Sequence, residues 1–377
     1  MTADGIDWQA VAETVAYRCP IRTTPIVRGD EFPEVATSAP DEHVGCMISG
    51  GIDSTTVLTR LVRAGKRIEC FTLTWSRGAY DESQKASRVV QVLKEKHDGI
   101  NHHVLRFDLE EYVKFYEEAA RYGPHARPAY LPVMHAAKDM GLKVLYSGEG
   151  GDEVYAGYVN KYKKMMRIKK YSKIRLLAAP GSALPGKWGR YFWIVSKAGS
   201  WSRYEAARTL TKDIFVPEAF RPYEMKDWIT STVRLDYEIR LKHYIGMLNR
   251  MAQGVGIQLV FPIMAEKFEP NRWPDYWRNE RYSKQPLVDE LRSFDPRLAD
   301  IATSDPHGFS PPNMVQMWEA GLGEMVLEEL RNSSVRRVLG KTLNQIIGGR
   351  RKGDEMTLTA LAEAYCMARH FRERGLG

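Results

Sequence analysis

The chain has 377 residues, 44% of them hydrophobic, which is enough for one large globular domain or two ordinary ones. Its four cysteines are far apart and form no C-x-x-C pair, which excludes a disulfide framework and favours buried thiols in a reducing compartment. The first residues are acidic where a signal peptide is basic, and no apolar run approaches the ~20 residues of a membrane span. We therefore expect a cytoplasmic protein with no membrane partner.

The net charge of +8 is unevenly distributed. Residues 160–203 contain twelve Lys and Arg and no acid, and residues 331–352 contain seven and none. The remainder of the chain is therefore net negative. Such basic clusters suit an anionic substrate, a carrier protein or a polyanion, but more often they are solvated helix faces, so both interpretations stay open.

Strand-like and helix-like stretches alternate from residue 44 to about residue 159. Residues 1–43 predict a short amphipathic helix and a proline-rich connection, too short for a domain. The alternation predicts an α/β fold with a doubly wound parallel sheet. Strands are predicted at 44–48, 68–75, about 102–107 and from 143, and helices at 55–65, 83–97, 108–122 and 134–140.

From about Asn160 the pattern changes to helices and aromatic residues, with no further strand. Lys161–Arg175 predicts a basic helix, and Tyr237–Gly254 predicts a long helix with Leu241 and Leu248 on its apolar face. We expect three parts: residues 1–43 as helix and linker, 44–159 as a nucleotide-binding α/β core, and 160–377 as a mainly helical region that completes the substrate site.

The stretch Ser49–Ser54, Ser-Gly-Gly-Ile-Asp-Ser, follows the first strand and opens a helix. Gly50 and Gly51 allow the backbone N–H groups to converge on an anion where the helix dipole is also positive. The two serines add donors, and Asp53 would repel phosphate unless a divalent cation lay between them. The loop has neither the Walker A nor the G-x-G-x-x-G spacing, so it predicts a magnesium nucleotide without indicating a kinase or dehydrogenase.

A second glycine-rich turn, Ser147–Glu153, follows the fourth predicted strand and contains Glu149 and Asp152. Ligands of open parallel sheets lie at the carboxyl ends of the strands, so this turn is expected to face the first loop across a crevice. Asp53 and Asp152 would then share one or two magnesium ions on a triphosphate.

These residues carry a family resemblance. Ser-Gly-Gly-x-Asp-Ser after a strand resembles the PP-loop of the N-type ATP pyrophosphatases, which split ATP between the α- and β-phosphates. Ser147–Glu153, with Gly157 and Tyr158 after it, resembles the Ser-Gly-Glu-Gly-x-Asp-Glu segment of the asparagine synthetase synthetase domain. The likeness covers roughly residues 44–318. Weaker echoes lie at Asp81–Glu82 with Ala86, at 251–255, at Ser283–Leu287 and at 308–312.

The resemblance implies ATP and Mg²⁺ as cofactors. A substrate carboxylate would attack the α-phosphate, pyrophosphate would leave in the PP-loop, and an amine or ammonia would convert the acyl-adenylate to an amide. Ile48 and Leu73 would frame the adenine by backbone contacts, with Ser147 and Gly148 on the nucleoside. The polyphosphate would lie on Ser49, Gly50, Gly51, Asp53 and Ser54, and the metal on Asp53 and Asp152.

Two further roles are implied by the same resemblance. Glu149 would orient or deprotonate the nitrogen nucleophile. Lys284 would steady negative charge on the α-phosphate and on the tetrahedral intermediate.

Three departures from the family pattern limit the substrates. Thr2 stands where the family has the nucleophilic cysteine of a glutaminase domain, so we expect no glutamine hydrolysis. The acid and arginine of Val-Glu-x-Arg are missing from Val255–Gln258, which puts aspartate in doubt as the substrate, and His307 replaces a lysine.

Nitrogen would come as ammonia, from a separate glutaminase, or from an amine. An amine-bearing small molecule or carrier-bound partner is preferred, and the role suggested is specialised biosynthesis.

Three alternatives remain. The β-lactam synthetase branch closes rings intramolecularly but has Tyr in place of Glu149. PP-loop enzymes of RNA or nucleobase modification would suit the basic segments, but they lack the second glycine-rich turn. A non-catalytic binding module would not need every magnesium and phosphate residue. Nucleic acid is therefore an improbable partner, and the oligomeric state is not predicted.

Overall fold

The computed structural model describes residues 36–75, 81–122, 128–184, 186–209, 217–277, 283–304 and 314–333, with isolated positions from 335 to 372. The predicted N-terminal helix, Thr2, His307, the echo at 308–312 and most of the basic segment 331–352 lie outside these residues.

Five parallel strands form one sheet in the order β3-β2-β1-β4-β5. The strand order reverses between β1 and β4, and this reversal opens a crevice at the carboxyl ends of those two strands. The α/β fold with a parallel sheet is therefore confirmed. The strands are β1 (His43–Met47), β2 (Arg67–Trp75), β3 (Ile100–Phe107), β4 (Val144–Tyr146) and β5 (Gln258–Val260).

Strand β5 contradicts the prediction that no strand follows residue 160. It has only three residues, which is too short to show an alternating pattern, and Leu259 and Val260 are both buried. Its place is set by tertiary pairing with β4, where Leu145 lies opposite Leu259. The helical region thus contributes the edge strand next to the crevice.

The helices cover both faces of the sheet, as a doubly wound fold requires. The third helix begins with a capping box, in which the Glu111 N–H donates to Asp108 Oδ1 and the Asp108 N–H donates to Glu111. The helices up to the second turn are α1 (Ile52–Arg63), α2 (Ser83–Lys94), α3 (Leu109–Arg121), α4 (Leu131–Asp139) and α5 (Gly151–Val154).

The remaining described helices form the helical region. It also contains two 3₁₀ segments on either side of residues 175–178, namely Ser172–Ile174 and Pro180–Ala183. The helices are α6 (Val159–Tyr171), α7 (Arg175–Ala178), α8 (Gly186–Lys197), α9 (Trp201–Thr209), α10 (Trp228–Leu235), α11 (Lys242–Val255), α12 (Trp273–Tyr276), α13 (Gln285–Phe294), α14 (Pro296–Ser304), α15 (Met314–Met317) and α16 (Gly323–Asn332).

The long helix predicted over 237–254 is present, with Leu241 and Leu248 buried as expected, but it starts earlier. It runs from α10 through a π-helical turn, Asp236–Leu241, into α11. Asp236 in this turn pairs with Lys161 and, at 2.5 Å, with Arg240, which in turn pairs with the fully buried Glu205. This ionic network fixes α6 and α9 against the long helix. No helix among the described residues has the length and apolarity to cross a membrane.

Candidate active site

The first loop follows β1 and is held by its own two serines. Ser49 Oγ and Ser54 Oγ lie 3.0 Å apart, and the Gly51 N–H donates to Ser49 Oγ at 3.2 Å. Gly50 has φ +76°, a left-handed conformation that side chains rarely adopt, and a Cβ there would lie 2.9 Å from the backbone N of Ala86. The loop is thus a tight turn at the carboxyl end of a central strand. Ala86, part of one of the weaker sequence resemblances, packs directly on it.

The second glycine-rich turn follows β4 and touches the first loop. A Cβ on Gly148 would lie 2.8 Å from the Ser54 backbone N, and a Cβ on Gly151 would overlap the Asp53 carboxylate. Gly150 has φ +98° and precedes the short helix α5. Glycine is therefore needed where the two loops approach, and the predicted meeting of the two turns across the crevice is confirmed.

Lys284 lies between the two aspartates that the sequence selects. Its Nζ is 2.5 Å from Asp53 Oδ2 and 2.8 Å from Asp152 Oδ1. The residue is buried and has φ +63°, one of two positive φ values outside glycine in the described chain. Such strained backbone is found most often at functional sites. A Cβ on Gly157 would overlap the Asp152 carboxylate and the Lys284 side chain, so this glycine leaves room for both.

The sequence of this chain matches a known protein family. The model of the Asparagine synthase family matches residues 36–269, which is more than half of the chain. This chain belongs to the asparagine synthase family.

Individual relatives match a shorter part. A putative glutamine-hydrolysing asparagine synthetase of Mycobacterium tuberculosis is 30% identical over 141 residues, 35% of this chain and 21% of the relative. A second one, from Methanocaldococcus jannaschii, is 33% identical over 154 residues, covering 39% and 28%. Amidase chry2 of Gibberella zeae is 28% identical over 138 residues, covering 31% and 20%. The matched segments thus span only about a quarter of the relatives' length.

The electrostatics of this asparagine synthase family site centre on Asp53. Burial raises the pKa of Asp53 to about 6, against the lowering influence of Lys284, and Asp152 raises it further. Burial also opposes the charge on Lys284, but the two aspartates outweigh it and raise the pKa of the lysine. The lysine thus stays charged, whereas the Asp53 carboxylate titrates only about one pH unit below neutrality.

The donor set fits magnesium that arrives with a nucleotide. Asp53 Oδ1 is buried without a hydrogen-bond partner, so a carboxylate oxygen is available beside Asp152. Mg²⁺ is usually bound by one or two carboxylates together with substrate phosphates. No cluster of three or more His, Cys, Asp or Glu among the described residues forms a complete protein metal site. The two aspartates fit a shared ion better than an all-protein cage.

Glu149 is held by a residue that the sequence analysis missed. The Tyr130 hydroxyl donates to Glu149 Oε1, and the Tyr130 ring makes an edge contact with Tyr244. Burial raises the pKa of Tyr130 well above its ordinary value, and Glu149 and Tyr244 add to the effect. Tyr130 therefore remains a neutral donor that fixes one carboxylate oxygen. It ends a 3₁₀ helix, Pro128–Tyr130, directly before α4, in a proline-rich stretch without a periodic pattern or motif, so no sequence signal marks it.

The last acid of the turn, Glu153, is buried and accepts a hydrogen bond from the Tyr158 hydroxyl at 2.5 Å. Burial, followed by the charge of Asp152, raises the pKa of Glu153 to about 8. A protonated Glu153 at neutral pH reduces the repulsion that four neighbouring acids would otherwise create. Its hydrogen bond joins the turn to Tyr158, the residue before α6.

The residues selected for the adenine lie at the other side of the crevice. The Ile48 N–H donates to the Phe71 carbonyl at 2.9 Å, and the Ile48 carbonyl accepts from the Thr72 hydroxyl at 2.7 Å. The Ile48 N–H is thus used by the sheet, which leaves only a carbonyl lone pair for a base. β2 continues past the last residue paired with β1, so Leu73 lacks a β1 neighbour. Ser147 is buried and its N–H donates to the Val260 carbonyl, which ties the second turn to β5.

Proposed function

We propose that the chain is an ATP-dependent amide synthetase that forms AMP and pyrophosphate. It adenylates a substrate carboxylate and transfers the acyl group to an amine or ammonia. Family membership, the two touching glycine turns and the position of both turns at the strand-order reversal support this proposal.

The observation that carries the proposal is the contact of Lys284 with both Asp53 and Asp152. Two carboxylates at a glycine cradle could hold the divalent cation that a triphosphate needs, and the lysine ammonium adds a positive charge beside the α–β bond that breaks. When bound, magnesium on Asp53 and Asp152 neutralises charge on the leaving pyrophosphate. The Lys284 ammonium stabilises negative charge on the α-phosphate, and the Ser49–Ser54 loop donates its N–H groups to the departing phosphates.

Glu149 serves the second half-reaction. The Tyr130 hydroxyl donates to Glu149 Oε1 and so positions the carboxylate that accepts a proton from the attacking nitrogen. Burial and the neighbouring Glu149 keep the Tyr130 hydroxyl protonated, so the hydrogen bond holds the carboxylate in one orientation through the reaction.

The substrate is proposed to differ from aspartate. Gly256 stands where the family has an acid, and its φ of +88° caps the end of α11. An acid restored there would be strained, because side chains rarely adopt this conformation. Gln258 replaces the arginine and begins β5. We favour a small-molecule or carrier-bound acid and amine of specialised biosynthesis, with a separate ammonia-supplying glutaminase as the competing nitrogen source.

The test is ATP–pyrophosphate exchange with a panel of carboxylic acids, each assayed with and without magnesium. An acid that gives magnesium-dependent exchange, followed by amide formation with ammonium or an amine, supports the proposal. Formation of ADP and phosphate with the same acid would refute it. Asp289→Asn, which changes an exposed acid on α13 near Lys284, is the matched control for Asp152→Asn.

A further inference from the structure

The surface that follows the second turn has an unusual composition. Residues 163–184, here called the basic tip, contain the end of α6, the helix α7 and the two 3₁₀ segments around it. They include seven Lys and Arg and no acid. Half of the twelve exposed large hydrophobic side chains in the described part of the chain lie here. They are Met166, Tyr171, Ile174, Leu176, Leu177 and Leu184.

The two leucines of α7 are the most exposed of these side chains. Leu176 and Leu177 are 82% and 80% exposed, and Ile174 just before them is 53% exposed. Trp188, four residues beyond the tip, is 60% exposed. Burial of such side chains is favourable, so adjacent leucines at this exposure indicate a surface that meets an apolar phase.

The basic tip is nevertheless packed on its inner side. Ala178 of α7 is buried, and a Cβ on Gly181 would lie 2.7 Å from the Phe192 ring on α8. Val195 and Ala198 continue this inner contact as buried residues. The fold therefore orients the leucines outward on a supported platform.

Basic side chains surround the leucines. Lys164, Arg167, Lys170, Lys173 and Arg175 are all exposed. A segment with exposed leucine, isoleucine and tryptophan beside lysine and arginine is typical of proteins that bind at the lipid headgroup boundary. Anionic headgroups attract the cations, and the acyl region takes up the apolar side chains without a preformed pocket.

We propose that the basic tip binds an anionic membrane surface without spanning the bilayer. The expectation of no membrane partner rested on the missing transmembrane run, which does not concern adsorption to a surface. A second copy of the chain is a poorer occupant, because two like-charged tips would repel in a symmetric dimer. An acidic protein would need cavities matched to two neighbouring leucines, whereas a bilayer accepts both.

The test is co-sedimentation of the full chain with phosphatidylcholine vesicles with and without phosphatidylglycerol, over a range of salt concentrations. We expect binding only to the anionic vesicles and weaker binding as salt rises. Leu176→Ser with Leu177→Ser should weaken it about tenfold to a hundredfold. Lys170→Glu with Lys173→Glu should weaken it about tenfold or more.

Two matched controls use exposed residues away from the basic tip. Val104→Ser with Met140→Ser removes exposed apolar groups, and Lys114→Glu with Lys143→Glu makes the same charge change. Both should bind like wild type, and circular dichroism should show all four variants folded. No binding to anionic vesicles at low salt would overturn the proposal. So would equal losses in the controls, or a concentration-dependent dimer that only the leucine variant abolishes.

Discussion

In the crevice between β1 and β4, one lysine lies within 2.8 Å of two carboxylates, whereas four of the five lysines of the basic tip are exposed and none has an acid in its own segment. Both regions are rich in charge, and they follow each other along the chain. The crevice charges are held by backbone that only glycine permits, at Gly148, Gly151 and Gly157. In the basic tip, glycine serves packing alone, since a Cβ on Gly181 would meet the Phe192 ring and no charged group. The difference separates charge arranged for chemistry on a small ligand from charge arranged for an extended surface.

The largest effect is expected from the crevice aspartates. Asp152→Asn should lower the adenylation rate about 10²–10³-fold, since one charge-stabilising contact is lost. The fold should survive, because Asp152 is on the crevice surface and not in the core. Pyrophosphate exchange measures the rate and circular dichroism measures the fold. A folded Asp152→Asn variant that exchanges pyrophosphate at the wild-type rate would contradict the claim that the crevice charges are arranged for chemistry.

A second variant separates the two half-reactions within the crevice. Glu149→Gln should leave adenylation nearly intact while slowing amide formation about 10²-fold or more, since the proton acceptor is lost. Tyr130→Phe should give a smaller loss in the same step, because it frees the carboxylate without removing it. Both half-reactions are assayed with the acid found by screening. Equal losses in the two steps would show that Glu149 is not dedicated to the nitrogen nucleophile.

The glycine requirement can be tested with one methyl group. Gly148→Ala should push the two loops apart, since its Cβ would lie 2.8 Å from the Ser54 backbone N, and we expect about a tenfold weaker binding of ATP. Gly246→Ala on α11 is the matched control, because the nearest atom to its Cβ would be 3.9 Å away. Isothermal titration calorimetry with ATP and magnesium compares them. Equal affinities would mean that the loops tolerate separation.

The sequence predicted some of these features, and others depend on tertiary contacts. The two turns were predictable because their glycines and acids stand at fixed positions after apolar runs, and parallel strands bring their carboxyl ends to one edge. Strand β5 was missed because three residues carry no period, so only its pairing with β4 defines it. Tyr130 was missed because its contact with Glu149 joins two parts of the chain that meet only in the fold. The exposure of Leu176 and Leu177 likewise depends on which side of α7 packs inward.

The smallest effect expected is a pH dependence of ligand stabilisation. The folded-state pKa of Asp53 is about 6, above its ordinary value, so the fold favours the protonated acid. The stability that this group contributes is complete at low pH and is lost as the pH rises through about 6. Magnesium and ATP need the charged form, so they should raise Tm by a few degrees at about pH 8 and much less at about pH 5. A Tm increase independent of pH would contradict the assignment.

The most direct test of the central claim is to identify the products of ATP cleavage. The purified chain is incubated with magnesium, ATP, the acid selected by exchange, and hydroxylamine, which traps an acyl-adenylate as a hydroxamate. Phosphorus NMR then distinguishes the two modes of cleavage. We predict AMP, pyrophosphate and hydroxamate from wild type and from Asp289→Asn, and their formation about 10²–10³-fold more slowly from Asp152→Asn. ADP and phosphate as the products would contradict the account.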